Sequence, residues 1–406
     1  MLFYIVLTLF LFNMSLKEYV AMNETLSGTV VVSFFYVVLS SYYIIVNSQY
    51  LKSNSHLLNC VLCWLFFLPI VFLTTFLQEN VLLESVARVL NFLQWELAFL
   101  FFFIAAQKEQ KDIYVFFFIL LAYALSVYIF IQLYYYNQEI VSSDALEKGI
   151  RRGVIQSYFL LCMIPFFLYF LYDKKIMYLF WGTTGYLLIL SMKRTGFMAF
   201  LMSFVIFLYT KTKKIKYHFI IHFFLIVLAI LLGYRYSNDI DKYSNNVVDA
   251  FMNRFEESSI SSSENVRSDY RRLAWYFFLD TPIHRKILGY GYDGYTAYGL
   301  THNSTHNDFL EILINYGLVY FALFLWLIVC LTSFFLYHPS QRDKCIMLIS
   351  IVILFVISIF SHLLTRPEGF LFLSAYWGYS LGKQNATPLT ESQNQALLAS
   401  PNTSTI

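Results

Sequence analysis

Long apolar runs separated by short polar segments recur along the whole chain. A helix needs about 20 apolar residues to cross the hydrocarbon of a bilayer. Twelve runs approach that length, starting near Leu2, Gly28, Leu57, Val86, Ile113, Val154, Met177, Thr195, His218, Phe309, Cys345 and Gly369. The first, eighth and last are shorter than the ideal. The run from Leu2 to Met14 has the size of a signal-peptide core. It lacks a basic n-region and a small-residue cleavage site, so a retained helix is expected.

The polar separators carry the orientation. "KTKKIK" (211–216) is the strongest inside signal, because Lys and Arg near helix ends stay on the cytoplasmic side. With it inside, alternation also puts "QKEQKD" (107–112), "DKK" (173–175), "QRDK" (341–344) and both termini inside. Two segments fall outside: one from about Tyr134 to Gly153, ending in "GIRRG", and a long one from Tyr234 to Asn307. The expected organisation is transmembrane helices 1–9 over 1–233, a large periplasmic loop with short helices over 234–307, and helices 10–12 over 308–382. A polar, disordered cytoplasmic tail follows over 383–406. The loop's short amphipathic pieces suggest helices lying on the membrane face.

Composition agrees with this pattern. The 406 residues are 59% hydrophobic and only 13% charged, with 33 Tyr and 43 Phe. A soluble fold of this size has too little interior to hide so much apolar surface. The fold class is therefore an all-α polytopic membrane protein, with no nucleic-acid partner and membrane lipids as its solvent. Gly (15) and Pro (7) are scarce, so the broken helices of transporters are not signalled. The five cysteines lie in or beside apolar runs. "CVLC" (60–63) has metal-like spacing but no His or second pair nearby, and reads as small buried hydrophobes. No carboxylate cluster suggests a divalent metal, and no cofactor is expected.

Charges inside a membrane are costly and need a reason. Arg88 and Glu96 lie about two turns apart on the fourth span, able to pair or to line a polar cavity. In "SMKRTGF" (191–197), Lys193 and Arg194 sit at an outer helix junction, against the positive-inside trend. They read as snorkelling cations or as an anion site, since guanidinium grips phosphate oxygens with a planar fork. The long loop carries Arg271 and Arg272 before Trp275, then a Pro turn and "GYGYDGY" (289–295). Its glycines let backbone approach a ligand closely, or simply make turns.

"THNSTHNDFLEILINYGL" (301–318) puts two His-Asn pairs at the entrance of the tenth span. Asp308-x-x-Glu311 resembles a capping box with Asp in the N-cap place. That leaves His306, at a helix N-terminus that favours anions. Nearby arginines should lower its pKa, leaving a neutral imidazole able to accept a proton.

Residues 271–318 resemble the core of the O-antigen ligase and polymerase superfamily, the Wzy-type and WaaL-type membrane glycosyltransferases. The likeness rests on Arg271, Trp275, Pro282, Gly289 and Gly291, His306-Asn307, Phe309-Leu310 and Gly317, with "SMKRTG" matching an earlier Ser/Arg element through Arg194. Lys193 departs from that element, where Ser is common. His302-Asn303 lacks the aromatic-Leu pair, so His306 is the better match. The resemblance implies a GT-C-like fold in the bacterial inner membrane, with the active site facing the periplasm. It further implies donor and acceptor oligosaccharides carried on undecaprenyl diphosphate, and leaves open a chain-length regulator as a further partner. The implied roles are His306 as base, Arg271 and Arg194 as diphosphate binders, and Asn307 as orienting residue. Arg272, Arg151, Arg152, Glu311, Tyr290 and Tyr292 are the substrate-binding candidates; Arg151 and Arg152 also read as helix-end charges. A Wzy-type O-antigen polymerase is the expected activity in lipopolysaccharide biosynthesis. An O-antigen ligase passing the glycan to lipid A-core is the alternative. A polysaccharide flippase, the alternative of another class, predicts charges spread over several spans. Here they gather on one face and one loop.

Overall fold

The structure is a computed structural model. It describes residues 1–11, 26–51, 55–77, 83–109, 111–139, 155–191, 193–211, 257–292, 294–298, 305, 307–338, 340–361 and 367–386. These are almost wholly helical, with no strand among the described residues. In chain order the helices are α1 (Leu2–Leu11), α2 (Leu26–Val46), α3 (His56–Phe76), α4 (Leu83–Lys108), α5 (Asp112–Glu139), α6 (Ile155–Leu171), α7 (Met177–Leu190) and α8 (Arg194–Lys211). Then come α9 (Glu257–Asp280), α10 (Ile283–Leu288), α11 (Gly294–Tyr298), α12 (Asp308–Tyr337), α13 (Gln341–Phe360) and α14 (Pro367–Ala386).

Eleven of the twelve expected starts have a helix beginning within about one turn. The one near His218 lies outside the described residues. Among those described, α3, Asp112–Tyr134 of α5, α12 and α13 are long and apolar enough to cross a membrane, and α1, α7 and α8 are shorter. α14 continues past Lys383 to Ala386, and the remainder of the expected tail lies outside the described residues.

Two helices form the centre. Every described side chain from Gln94 to Ala106 on α4, and from Phe370 to Gly382 on α14, is buried. α14 lies directly on α4 because Gly378 and Gly382 present no side chain there. A Cβ at these positions would come within 2.1 Å of the Phe99 carbonyl and 2.4 Å of the Phe103 carbonyl. Small residues spaced four apart are how membrane helices gain such close backbone contact. Aromatic rings fill the rest: Trp95 packs edge-on against Trp64 of α3 and Phe370 of α14, and Trp64 against Tyr320 of α12. Glu96 is fully buried here, and its two oxygens have no hydrogen-bond partner among the described residues. The side chain of Arg88, its expected partner, lies outside those described. Cys60 is buried and Cys63 half-buried; all five cysteines are free.

The loops sort onto two ends. At one end, Lys111 donates to Tyr4 at 3.2 Å, Lys108 to Asn47 at 2.8 Å, and Lys383 pairs with Asp112 at 2.5 Å. Lys211 donates to the Tyr172 carbonyl at 2.6 Å, and Arg342 to the Tyr169 carbonyl. The described ends of the segments expected inside thus gather together. Thr75, α10, the start of α12 and the end of α13 mark the opposite end.

Candidate active site

At that opposite end the last carbonyls of α13 have no partner within the helix. Two side chains take one of them. The guanidinium of Arg271 on α9 donates to the Ile359 carbonyl at 3.4 Å and lies over the Phe360 ring, 5.9 Å from its centroid. Asn307 donates its amide N–H to the same oxygen at 3.0 Å. A cation at a helix C-terminus is electrostatically favoured, so Arg271 is held there by charge as well as by hydrogen bonding.

Asn307 also starts α12. Its backbone is extended (φ −151°, ψ 111°) and its side-chain oxygen accepts from Leu310 N at 3.0 Å. The N-cap is therefore Asn307, not Asp308 as the capping-box reading expected. Asn and Asp cap about equally well, and contacts with α13 decide between them. Asp308, fully buried, instead accepts from the Ser358 hydroxyl at 2.8 Å. Glu311 is buried and reaches back to Thr305, accepting from its N–H at 2.9 Å and its hydroxyl at 3.3 Å. The Thr305 hydroxyl in turn accepts from Asn307 N at 3.2 Å. The chain on both sides of position 306 is thereby fixed to α12 and α13. His306 itself lies outside the described residues, as do Arg151, Arg152 and the pair His302-Asn303.

Arg194 is the first residue of α8. Its side chain is outside those described, but helix register gives its height. α8 packs on α13, with Thr210 beside Cys345 at 2.8 Å and Cys345 near the Ile206 carbonyl. Both Lys211 and Arg342 lie at the charged end, so the two helices run antiparallel. Arg194 lies as far before Thr210 as Ser361 lies after Cys345, which puts its backbone level with the end of α13 that holds Arg271 and Asn307. Lys193 stands next to it with its ammonium over Tyr158, 5.9 Å from the ring centroid.

The Gly-rich turn packs its backbone against α12. α12 is broken: its outer segment ends in a π-type turn (Ile312–Tyr316), and the inner segment restarts at Gly317 with φ 76°. The scarcity of glycine did not signal such a break. Widened turns free carbonyls, and those of Ile314 and Asn315 accept from Tyr290 N at 3.1 Å and Gly291 N at 2.7 Å. The Asn315 side chain accepts from Tyr295 N at 2.8 Å. Gly289 (φ 78°) faces this turn so closely that a Cβ would lie 2.2 Å from the Asn315 carbonyl; a Cβ on Gly317 would lie 2.3 Å from that of Ile287. Both glycines are required by backbone-on-backbone approach.

The tyrosines of this turn also make contacts within the protein. Tyr290 packs on Phe277 at 5.2 Å, meets the Thr281 hydroxyl at 3.2 Å and lies beneath Arg285 at 5.4 Å. Tyr292 N donates to Thr75 at 2.9 Å. Arg272 is exposed and pairs with Asp269 one turn back on α9, at 3.2 Å. Among the described residues no cluster of His, Cys, Asp and Glu could hold a metal ion. Thr305, Ser358, the Ile359 carbonyl and Thr75 carry the framework, and no pattern of residue types along the chain marks any of them.

Residues 177–325, from α7 into the inner segment of α12, match the family described as O-antigen ligase. No curated protein matches the chain. The match supports a membrane function of the O-antigen ligase/polymerase type, a family of glycosyltransferase-like enzymes. It does not separate polymerase from ligase.

Proposed function

We propose that this chain is an O-antigen polymerase of the Wzy type, a glycosyltransferase that joins undecaprenyl-diphosphate-linked repeat units at the periplasmic face of the inner membrane. The observation that carries the reading is the meeting of Arg271 and Asn307 at the end of α13, with the Arg194 backbone at the same height.

In this reading Arg271 and Arg194 grip the donor's diphosphate. His306 takes the proton from the acceptor hydroxyl as its oxygen bonds to the donor's anomeric carbon. The anomeric carbon–oxygen bond to phosphate breaks, and undecaprenyl diphosphate leaves with its added charge held by the arginines. Asn307 orients position 306, and Glu311 serves through Thr305 rather than by touching sugar. Arg272, Tyr290 and Tyr292 line the approach, and Arg151 and Arg152 supply a second diphosphate site. Outside the cytoplasm no nucleotide sugar is at hand, so lipid-borne activation fits a site at this end. Twelve spans and a GT-C-like architecture belong to the same proposal.

The test is a gel of surface glycans from a deletion strain. Core carrying a single repeat unit supports polymerase. Bare core with glycan left on carrier lipid means ligase, and repeat units trapped inside the cell mean flippase. Restored with His306→Ala, the strain should make no chains while the protein stays in the membrane. Arg271→Lys should be severely impaired, since a point charge cannot replace a bidentate fork. Normal ladders from both variants would overturn the reading.

A further inference from the structure

The hairpin formed by α9 and α10 carries an apolar surface that the rest of the described structure leaves open. Trp275 (45% exposed), Tyr276 (54%), Leu279 (48%), Ile283 (69%) and Ile287 (43%) lie along it. Their opposite neighbours Ala274 and Phe278 are buried. The exposed stripe of α9 changes character along its axis. Asp269 and Arg272 come first, paired and open to solvent, and the aromatic and aliphatic residues follow toward α10.

The height of the hairpin follows from α12. The inner segment Gly317–Tyr337 has 21 residues, which at 1.5 Å per residue is roughly the 30 Å of a bilayer's hydrocarbon. Its lower end leads to His338 and the charged end, so Gly317 marks the opposite edge of the hydrocarbon. α10 is pressed against that edge, with the Ile287 carbonyl against Gly317. α10 also packs on α3, whose nearby Leu73 and Phe76 are themselves exposed. The hairpin's open face therefore continues the lipid-facing surface of two spans.

We propose that the α9–α10 hairpin is an interfacial anchor, seated in the outer edge of the leaflet on the Arg271 side. Trp275 and Tyr276 occupy the belt that amphipathic rings favour, and Leu279, Ile283 and Ile287 enter the acyl boundary. Arg272 above them meets lipid phosphates. Asp280 and His284, exposed around the turn between the helices, keep that turn at headgroup level and out of the hydrocarbon. The anchor ties the height of Arg271, one turn from Trp275, to the membrane surface, and stands whether or not the proposed activity does.

The test uses the full chain in lipid nanodiscs, with its five native cysteines replaced by alanine and a nitroxide placed through Ile283→Cys, Ile287→Cys or Arg272→Cys. Positions 283 and 287 should collide far more with oxygen than with an aqueous nickel chelate, and position 272 the reverse. Preference for nickel at 283 and 287 would overturn the anchor. So would shielding from both, the sign of a second copy or another protein on this face. If the cysteine-free chain fails to assemble, the natural chain is compared with Trp275→Phe in shallow brominated lipid. The substitution should remove a strongly quenched share of the tryptophan fluorescence; an unchanged quenched fraction would equally overturn the proposal.

Discussion

Arg271 and Asn307 donate to one acceptor, the Ile359 carbonyl, at 3.4 and 3.0 Å. The guanidinium makes the longer, weaker bond and the amide the shorter one. Asn307 is bound on both sides of its amide group, as donor to α13 and as cap of α12. In the proposed reading the planar guanidinium of Arg271 is the shape that grips diphosphate oxygens.

Asn307→Asp separates the two tasks of this amide. Aspartate still caps α12, but it cannot donate to Ile359 and sets a negative charge against the partly negative end of α13. Membrane level should hold while chain formation falls steeply. Asn307→Ala loses the cap as well and should cost a further ~1 kcal/mol of stability. Glycan ladders and thermal unfolding in detergent read the two effects separately.

Thr305 and Glu311 should behave as positioning residues. Thr305→Ser keeps the hydroxyl that links Glu311 to Asn307 and should act like the natural chain. Thr305→Val removes it and should lower turnover about tenfold, the equivalent of one lost hydrogen bond of ~1.4 kcal/mol. The apparent KM for lipid-linked donor should barely change. Glu311→Gln should be milder than Glu311→Ala, because glutamine still accepts from Thr305 N. An in vitro transfer assay that separates kcat from KM checks all four.

Gly289→Ala and Gly317→Ala should each prevent stable assembly. Each forces a side chain into left-handed backbone, at ~1 kcal/mol or more, and drives a Cβ against a carbonyl 2.2 or 2.3 Å away. Gly182→Ala is the control. Nothing lies within 4 Å of a Cβ there, so alanine in α7 should be neutral or stabilising by up to ~1 kcal/mol. Immunoblots of membranes and melting curves distinguish the outcomes.

The helices were legible because a long apolar run is a local property of the chain. The gathering of Lys108, Lys211, Arg342 and Lys383 at one end likewise follows from where basic residues fall in the chain. Of the candidate residues, Arg271 and Asn307 meet at one carbonyl, and the way they meet was not legible. "HND" offers two good caps in a row, and only the position of Ser358 and Ile359, on a helix that follows much later, selects Asn307 over Asp308. The acceptor that joins Arg271 to Asn307 is a backbone oxygen, which any residue type would supply. Gly289 and Gly291 read as turn or ligand glycines, because the break in α12 that receives them depends on tertiary contact. Glu96 is buried as its place in an apolar run implies, while the side chain of Arg88, its expected partner, lies outside the described residues.

The break at Gly317 has a mechanical meaning. Because the outer segment of α12 is fastened to α13 and to the Gly-rich turn, a thicker or thinner bilayer that tilts the inner segment pivots it beneath a stationary platform. Such a tilt would be taken up toward Tyr337 and would leave the bonds of Asn307 to Ile359 and Leu310 as they are.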